Sequence, residues 1–170
     1  MTLAAESVIG TVLDGRYRLT SFIAEGGMGC VYRGIQEALD RPVAVKLLKD
    51  STEGSVDFQR RFFLEASLCA RLAHHNTIRI FDFGCCASSD HYYIVVEFLQ
   101  GRSVRQLISD EGPLPPPMAL NIVQQVCAAL MEAHGAGLVH RDLKPSNLFS
   151  TPDGMGGNRI KILDFGVVKQ

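Results

Sequence analysis

The sequence predicts an α+β chain in two parts: a small antiparallel β lobe carrying one helix, then a mainly helical part. Three observations predict it. Residues 16–49 are short strand-like runs separated by turn residues. One long helical pattern over about 56–73 is followed by two more strand-like runs, 78–83 and 92–98. After Gly101 the periodicity becomes helical. The order β-β-β-α-β-β suits an antiparallel sheet with one helix. The division is expected near 99–101, which gives an N-terminal extension at 1–15, a small β-rich lobe at 16–98 and a mainly helical part at 99–170.

The first three strands are expected at 17–24, 30–35 and 43–48, with Gly26, Gly27 and Gly29 and then Asp40–Pro42 in the turns. In the second part, Ser103 stands three residues before Gln106, the spacing of a capping box, and opens a short helix. Pro115, Pro116 and Pro117 suit the first turn of a longer helix that runs to about His134. Ile122, Val126, Ala129 and Ala133 give that helix an apolar stripe, and Gly135 and Gly137 end it. Extended pieces are expected at 138–139, 148–149 and 159–163, with a Gly/Pro/Asp-rich loop at 151–158.

Composition excludes several classes. The 170 residues are 46% hydrophobic and 21% charged, near globular averages, so disorder and disulfide scaffolds are disfavoured. Seventeen Lys+Arg against 18 Asp+Glu give a net charge of −1, so no nucleic-acid partner is expected from bulk charge. The first ten residues have no basic segment before an apolar block, so no signal peptide is expected. The longest charge-free stretch, 112–131, holds four prolines and three amide side chains, and this segment is expected to make no membrane contact. The cysteines, Cys30, Cys69, Cys85, Cys86 and Cys127, are odd in number and lack zinc spacing. They read as reduced thiols of a cytoplasmic protein.

Two constellations carry chemistry. In the first, Gly26, Gly27 and Gly29 lie between two strands, where bare backbone N–H groups can approach a polyphosphate. The segment is neither a P-loop nor a Rossmann fingerprint, because a strand follows the glycines and no Gly-Lys-Ser/Thr is present. Lys46 lies in the apolar run 43–48 and shares a strand face with Ala44. It either snorkels to water at an edge or is a buried ammonium with partners. The helix offers a partner. Phe58, Phe62, Glu65, Cys69 and Leu72 project within an arc of about 80°, which puts Glu65 inside the apolar stripe. A carboxylate there needs a counter-charge, and Lys46 can supply it.

In the second, His140-Arg141-Asp142-Leu143-Lys144-Pro145-Ser146-Asn147 packs five polar or charged groups into eight residues, and Asp164-Phe165-Gly166 follows downstream. Phosphoryl transfer needs an acceptor to orient a hydroxyl, oxygen ligands for Mg²⁺ and a cation for the moving phosphoryl group. Asp142 suits the first role, Asn147 and Asp164 the second, and Lys144 the third.

With these residues in order, the chain resembles the protein kinase family in its bacterial serine/threonine branch. The matching residues are Gly26-x-x-Gly29-x-Val31, Val43-Ala44-Val45-Lys46, Glu65, the run His140 to Asn147, and Asp164-Phe165-Gly166. The resemblance implies a protein-kinase-like fold, truncated here, in which Asp142, Lys144, Lys46 and Glu65 serve catalysis and Asn147 and Asp164 hold Mg²⁺. It implies an ATP site from Ile23, Ala24, Glu25, Gly26, Gly27, Met28, Gly29, Cys30, Val31, Ala44, Lys46, Val96, Glu97, Phe98, Leu99 and Phe149. In that reading, 97–99 is the hinge, Val96 the gate, and Ile23, Val31, Ala44 and Phe149 sandwich adenine. Arg141 would pair with an activation-loop phosphate, and Cys69, His140 and Phe165 would belong to a hydrophobic spine.

The implied activity of the parent protein is ATP- and Mg²⁺-dependent transfer of the γ-phosphate to serine or threonine of a protein substrate. The competing reading is a catalytically dead kinase-like module that binds nucleotide or another protein. A kinase dimer and a membrane anchor beyond residue 170 are compatible with the resemblance. Two departures stand out. Ala24 occupies the place of the first loop glycine, and a methyl group there costs about 1–2 kcal/mol if φ must be positive. The chain ends four residues after Gly166, so it reads as an inactive fragment, poorly soluble alone, with an apolar face of the 117–134 helix uncovered.

Overall fold

The computed structural model describes residues 7–27, 29–48, 56–86, 91–154 and 156–165. Met28 and Gly166 of the sequence motifs lie outside them. The chain divides into two units. The first comprises Met1–Phe63 and Ile80–Phe98, the second Leu64–Arg79 and Leu99–Gln170.

The first unit is built on a six-stranded antiparallel sheet. Its strands are β1 (Val12–Leu13), β2 (Tyr17–Gly26), β3 (Gly29–Gln36), β4 (Arg41–Leu48), β5 (Ile80–Cys85) and β6 (Tyr92–Glu97), in the order β1-β2-β3-β4-β6-β5. Alternation along β4 sends Val43, Val45 and Leu47 into the core, where they meet Leu19, Tyr32, Tyr93 and Val95. The two-residue β1 was too short to leave a periodic signal. Helix α1 (Val56–Ala70) begins in this unit. Its Phe58 and Phe62 rings meet Tyr92 edge-on at 5.2 and 5.0 Å.

A polar cluster ties the β1–β2 turn to β5 and β6. Arg16 Nη1 lies 2.7 Å from Asp82 Oδ2, and Tyr17 Oη donates to the same oxygen at 2.7 Å. Tyr93 Oη donates to Asp14 Oδ2 at 2.6 Å and accepts from Arg16 Nη2 at 3.1 Å. Burial, with the hydrogen bond to Asp82, pushes the Tyr17 phenol up to about 12.

The second unit holds the end of α1, two further helices and a small sheet. Helix α2 (Val104–Glu111) opens with the expected capping box: Ser103 Oγ accepts from Gln106 N at 3.2 Å, and Gln106 Oε1 accepts from Ser103 N at 2.8 Å. Helix α3 (Pro116–Gly135) starts on its prolines and buries Ile122, Val126, Ala129 and Ala133, the expected stripe. Its other side exposes Leu120, Val123 and Met131. No helix among the described residues is long and apolar enough to cross a membrane.

The small sheet pairs β7 (Arg102–Ser103), β8 (Leu148–Pro152) and β9 (Asn158–Ile162), all antiparallel. Here the expected loop at 151–158 is shorter than its composition suggested. Thr151 pairs with Arg159 and Pro152 with Asn158, and Gly157 N donates to Asp153 Oδ1 at 2.9 Å to close the turn. Residues 138–139 join no strand. Gly101 crosses beside β8 with φ +144, where a Cβ would sit 1.9 Å from the Ser150 carbonyl oxygen, so only glycine fits.

Ile78, expected to start a strand of the first sheet, belongs with Thr77 to the second unit. Thr77 bridges Ile162, and Ile78 N donates to Ile162 O at 3.0 Å. The loop after α1 is held by side chains. Glu132 accepts from Ala73 N at 3.1 Å and His74 N at 2.9 Å. Asn76, 1% exposed, donates through Nδ2 to Gln125 Oε1 at 2.8 Å and Ile160 O at 2.7 Å.

Two outcomes follow. The raised Tyr17 value favours the neutral phenol in the folded state. Its contribution is complete below the ordinary value of 10 and is lost as pH rises toward about 12. The melting temperature should fall over that window, and Tyr17→Phe should flatten this fall. Asn76→Ala leaves a buried carbonyl and an amide oxygen short of a donor, and urea denaturation should show a loss of about 1–3 kcal/mol.

Candidate functional site

The β2–β3 hairpin carries the glycines. Ala24 pairs with Val31, Glu25 with Cys30 and Gly26 with Gly29. Gly29 is required by close approach: its φ is +154, and a Cβ would fall 2.0 Å from the Leu47 carbonyl oxygen. Ile23, Ala24, Glu25, Gly26 and Gly27 are all exposed, so the hairpin presents its backbone to solvent. Ala24 is extended and not among the residues at positive φ, so its methyl group imposes no backbone strain.

Register collects the other residues of this unit. Val31 and Ile94 flank Lys46, while Arg33 and Val96 flank Ala44. Directly paired residues share a face, and so do alternate residues of one strand. Val31, Ala44, Lys46 and Val96 therefore stand on one face of the sheet, opposite the core face of Val43, Val45 and Leu47. Glu97 ends β6, and Phe98 follows it with its ring under the Arg33 guanidinium at 4.9 Å.

In the second unit the polar run 140–147 is built around a buried imidazole. His140 is 3% exposed. Asp142 N donates to its Nδ1 at 3.3 Å, so the ring proton sits on Nε2, which donates to Leu163 O at 2.8 Å. One ring thus fixes the backbone before Asp142 and the backbone before Asp164. Phe165 packs on it with centroids 4.9 Å apart, and Cys69 Sγ donates to Phe165 O at 3.7 Å. Burial, with the Glu65 charge nearby, pushes the Cys69 thiol up to about 11, so it stays protonated. Cys69, His140 and Phe165 form one contiguous set.

Asp142 is the hub of the run. Lys144 Nζ lies 2.8 Å from its Oδ2. Asn147 Nδ2 donates to the Asp142 carbonyl at 2.8 Å and to its Oδ2 at 3.2 Å. Asn147 closes the 3-10 turn Pro145–Asn147, and its carbonyl accepts from Leu163 N at 2.8 Å, next to Asp164. Since Asn147 spends its NH₂ on Asp142, its Oδ1 remains as an acceptor or cation ligand. Arg141 and Asp164 both adopt left-handed backbone, with φ of 61° and 49°. Arg141 Nη1 lies 3.6 Å from Glu65 Oε1, a contact that sequence reading did not anticipate. Phe149 lies in β8 opposite Ser103 and Lys161, and Leu99 is half-buried at the start of this unit.

Sequence reading also missed the support of this run. Asn76, Gln125 and Glu132 hold the loop after α1 against α3 and β9. The available signal was a polar residue, Gln125, one residue from the buried Val126 of the apolar stripe.

The protein kinase domain model matches residues 17–170. PknL of Mycobacterium tuberculosis, a serine/threonine-protein kinase, is 39% identical over 158 residues, which cover 93% of this chain and 38% of that protein. The serine/threonine-protein kinase PrkC of Bacillus subtilis is 41% identical over 160 residues, 94% of this chain and 24% of PrkC. The crystal structure of the PknI kinase domain of Mycobacterium tuberculosis superposes with a TM-score of 0.82 at 31% identity, covering 99% of this chain and 65% of that one. The chain thus spans less than half the length of these curated relatives. The two-part α+β fold, the motifs in their order and these matches lead to one conclusion: the chain belongs to the protein kinase domain family.

Proposed function

We propose that the chain carries the nucleotide-binding and catalytic residues of an ATP- and Mg²⁺-dependent kinase that phosphorylates serine or threonine of proteins. The observation that carries this reading is the Asp142 hub. A carboxylate held by Asn147, with a lysine ammonium beside it, is suited to accept a hydroxyl hydrogen bond next to a phosphoryl group. Asp142 orients the substrate hydroxyl and takes its proton. Lys144 offsets the charge that spreads over the moving phosphoryl oxygens.

Asn147 Oδ1 and Asp164 are hard oxygen donors of the kind magnesium takes. Among the described residues there is no cluster of three or more His, Cys, Asp or Glu that would hold a cation unaided. This donor set fits an ion that arrives with its phosphates. Asn147 Oδ1 and Asp164 would hold Mg²⁺, which would supply charge neutralisation to the phosphates.

The nucleotide-facing residues of the first unit are the glycine hairpin 23–31, Ala44, Lys46, Val96, Glu97 and Phe98. Those of the second are Leu99 and Phe149. Lys46 supplies positive charge to the α- and β-phosphates, and Glu65 acts as its positioning carboxylate. Intact Lys46, Asp142, Asn147 and Asp164 favour an active enzyme over a binding-only module. The solved structure of Rad53 with AMP-PNP shares the fold at 23% identity.

The test is transfer of phosphate from Mg-ATP to a generic protein substrate by a chain carrying the whole kinase domain. Asp142→Asn should lower kcat by about 10²-fold or more while ATP affinity changes little. Absence of transfer by the native protein, with Mg-ATP still raising its melting temperature, would sink the enzyme reading in favour of a nucleotide-binding module. Because Ala24 is unstrained, Ala24→Gly should change ATP affinity by less than about fivefold, measured by titration calorimetry.

A further inference from the structure

The second unit contains a cleft of about 400 Å³ that none of the roles above uses. Three elements line it: the loop after α1 through His75, α3 through Asn121 and Gln125, and the β8–β9 hairpin through Asp153, Asn158 and Arg159.

Three side chains of this cleft, from three elements, have hydrogen-bond donors left over: Asn121, Arg159 and His75. Gln125 is saturated. Its Oε1 accepts from Asn76 Nδ2 at 2.8 Å and Ile160 N at 2.9 Å, and its Nε2 donates to Asn121 Oδ1 at 2.7 Å and Asn158 O at 3.3 Å. Asn121 therefore has its oxygen engaged and its NH₂ left over. Among the described residues, the Arg159 guanidinium takes part in no hydrogen bond or ion pair. His75 stacks on His74 at 4.4 Å and makes no side-chain hydrogen bond among the described residues. One acid also lines the cleft, Asp153, whose Oδ1 accepts from the Gly157 amide at 2.9 Å.

The local field is positive. Lys161 lies two residues from Arg159 on the same strand face, and its Nζ donates to Thr77 O at 3.2 Å. Desolvation, His74, Arg159 and Lys161 all hold the His75 imidazole below its usual value.

We propose that this cleft binds a phosphate group, with the Arg159 fork on two of its oxygens and Asn121 Nδ2 and His75 donating to the rest. Donors from three different elements favour a phosphate, whose four oxygens point in four directions, over a planar carboxylate. The volume exceeds that of bare phosphate, so an ester substituent fits as well. The site is separate from Asp142, Asn147 and Asp164, and it stands whether or not the chain proves to be an active kinase.

The experiment is an NMR titration of the full chain, reading the Asn121 side-chain amide, the His75 ring and the Arg159 guanidinium. The probes are inorganic phosphate and O-phosphoserine, with serine and sodium chloride at matched ionic strength as controls. Saturable shifts at these three groups with half-saturation near about 1–10 mM are expected. Arg159→Gln should weaken them at least about tenfold, and Asn121→Asp, which replaces the donor by a carboxylate, should abolish them. Should Arg159→Gln fail to fold, Asn121→Asp alone decides. Tighter binding of O-phosphoserine than of phosphate assigns the site to an ester, and equal binding assigns it to free phosphate. The proposal is overturned if the shifts do not saturate, if chloride reproduces them, or if they survive in a folded variant.

Discussion

The His140 imidazole is the constraint on which the arrangement of the 140–147 run and of Asp164 depends. It is buried and used at both nitrogens. Nδ1 accepts from Asp142 N, and Nε2 donates to Leu163 O. Asp142 and Asp164 are 22 residues apart in sequence, yet this ring places the backbone of both. Its face carries Phe165, which also accepts from the Cys69 thiol. Nδ1 as acceptor and Nε2 as donor are the roles that this pair of hydrogen bonds assigns to the ring. Position of the two carboxylates is thereby made a property of packing rather than of exposed loop residues.

Around that ring the unit uses polar side chains as structural ties. Asn76 and Gln125 exchange donors and acceptors with the backbone of β9, and Glu132 caps the amides of residues 73 and 74. Among the described residues no buried side-chain nitrogen or oxygen lacks a partner. Such a network is costly if any member is lost, and it therefore specifies one arrangement of loop, helix and strand. The first unit does the same at its edge with Asp14, Arg16, Tyr17, Asp82 and Tyr93. In both cases apolar periodicity builds the elements, and the polar ties select how they join.

That difference explains what could be read from the sequence. Strands and helices were legible because their burial repeats at two or at three to four residues: Val43, Val45 and Leu47 in β4, and Ile122, Val126, Ala129 and Ala133 in α3. The capping box was legible because its chemistry is local. The motif residues were legible as a set because their spacing is specific. The ties were not, because Asn76 meets Gln125 across 49 residues, and nothing in either one's neighbours indicates the partner. The hairpin at 153–157 was overestimated as a loop because glycine and proline composition does not reveal that Pro152 and Asn158 still pair. The face shared by Val31, Lys46 and Val96 needs strand register, which alternation within one strand does not supply.

The left-handed backbone at Arg141 and Asp164 narrows which side chains these two places tolerate, apart from any chemistry they perform. Valine, isoleucine and threonine branch at Cβ and fit such φ values poorly, whereas asparagine and glycine adopt them readily. An exchange of Asp164 for asparagine removes charge and keeps the backbone, while an exchange for valine changes both at once. Comparing the two separates electrostatics from conformation at this position. Sequence drift at these sites should accordingly run through asparagine and glycine rather than through aliphatic residues.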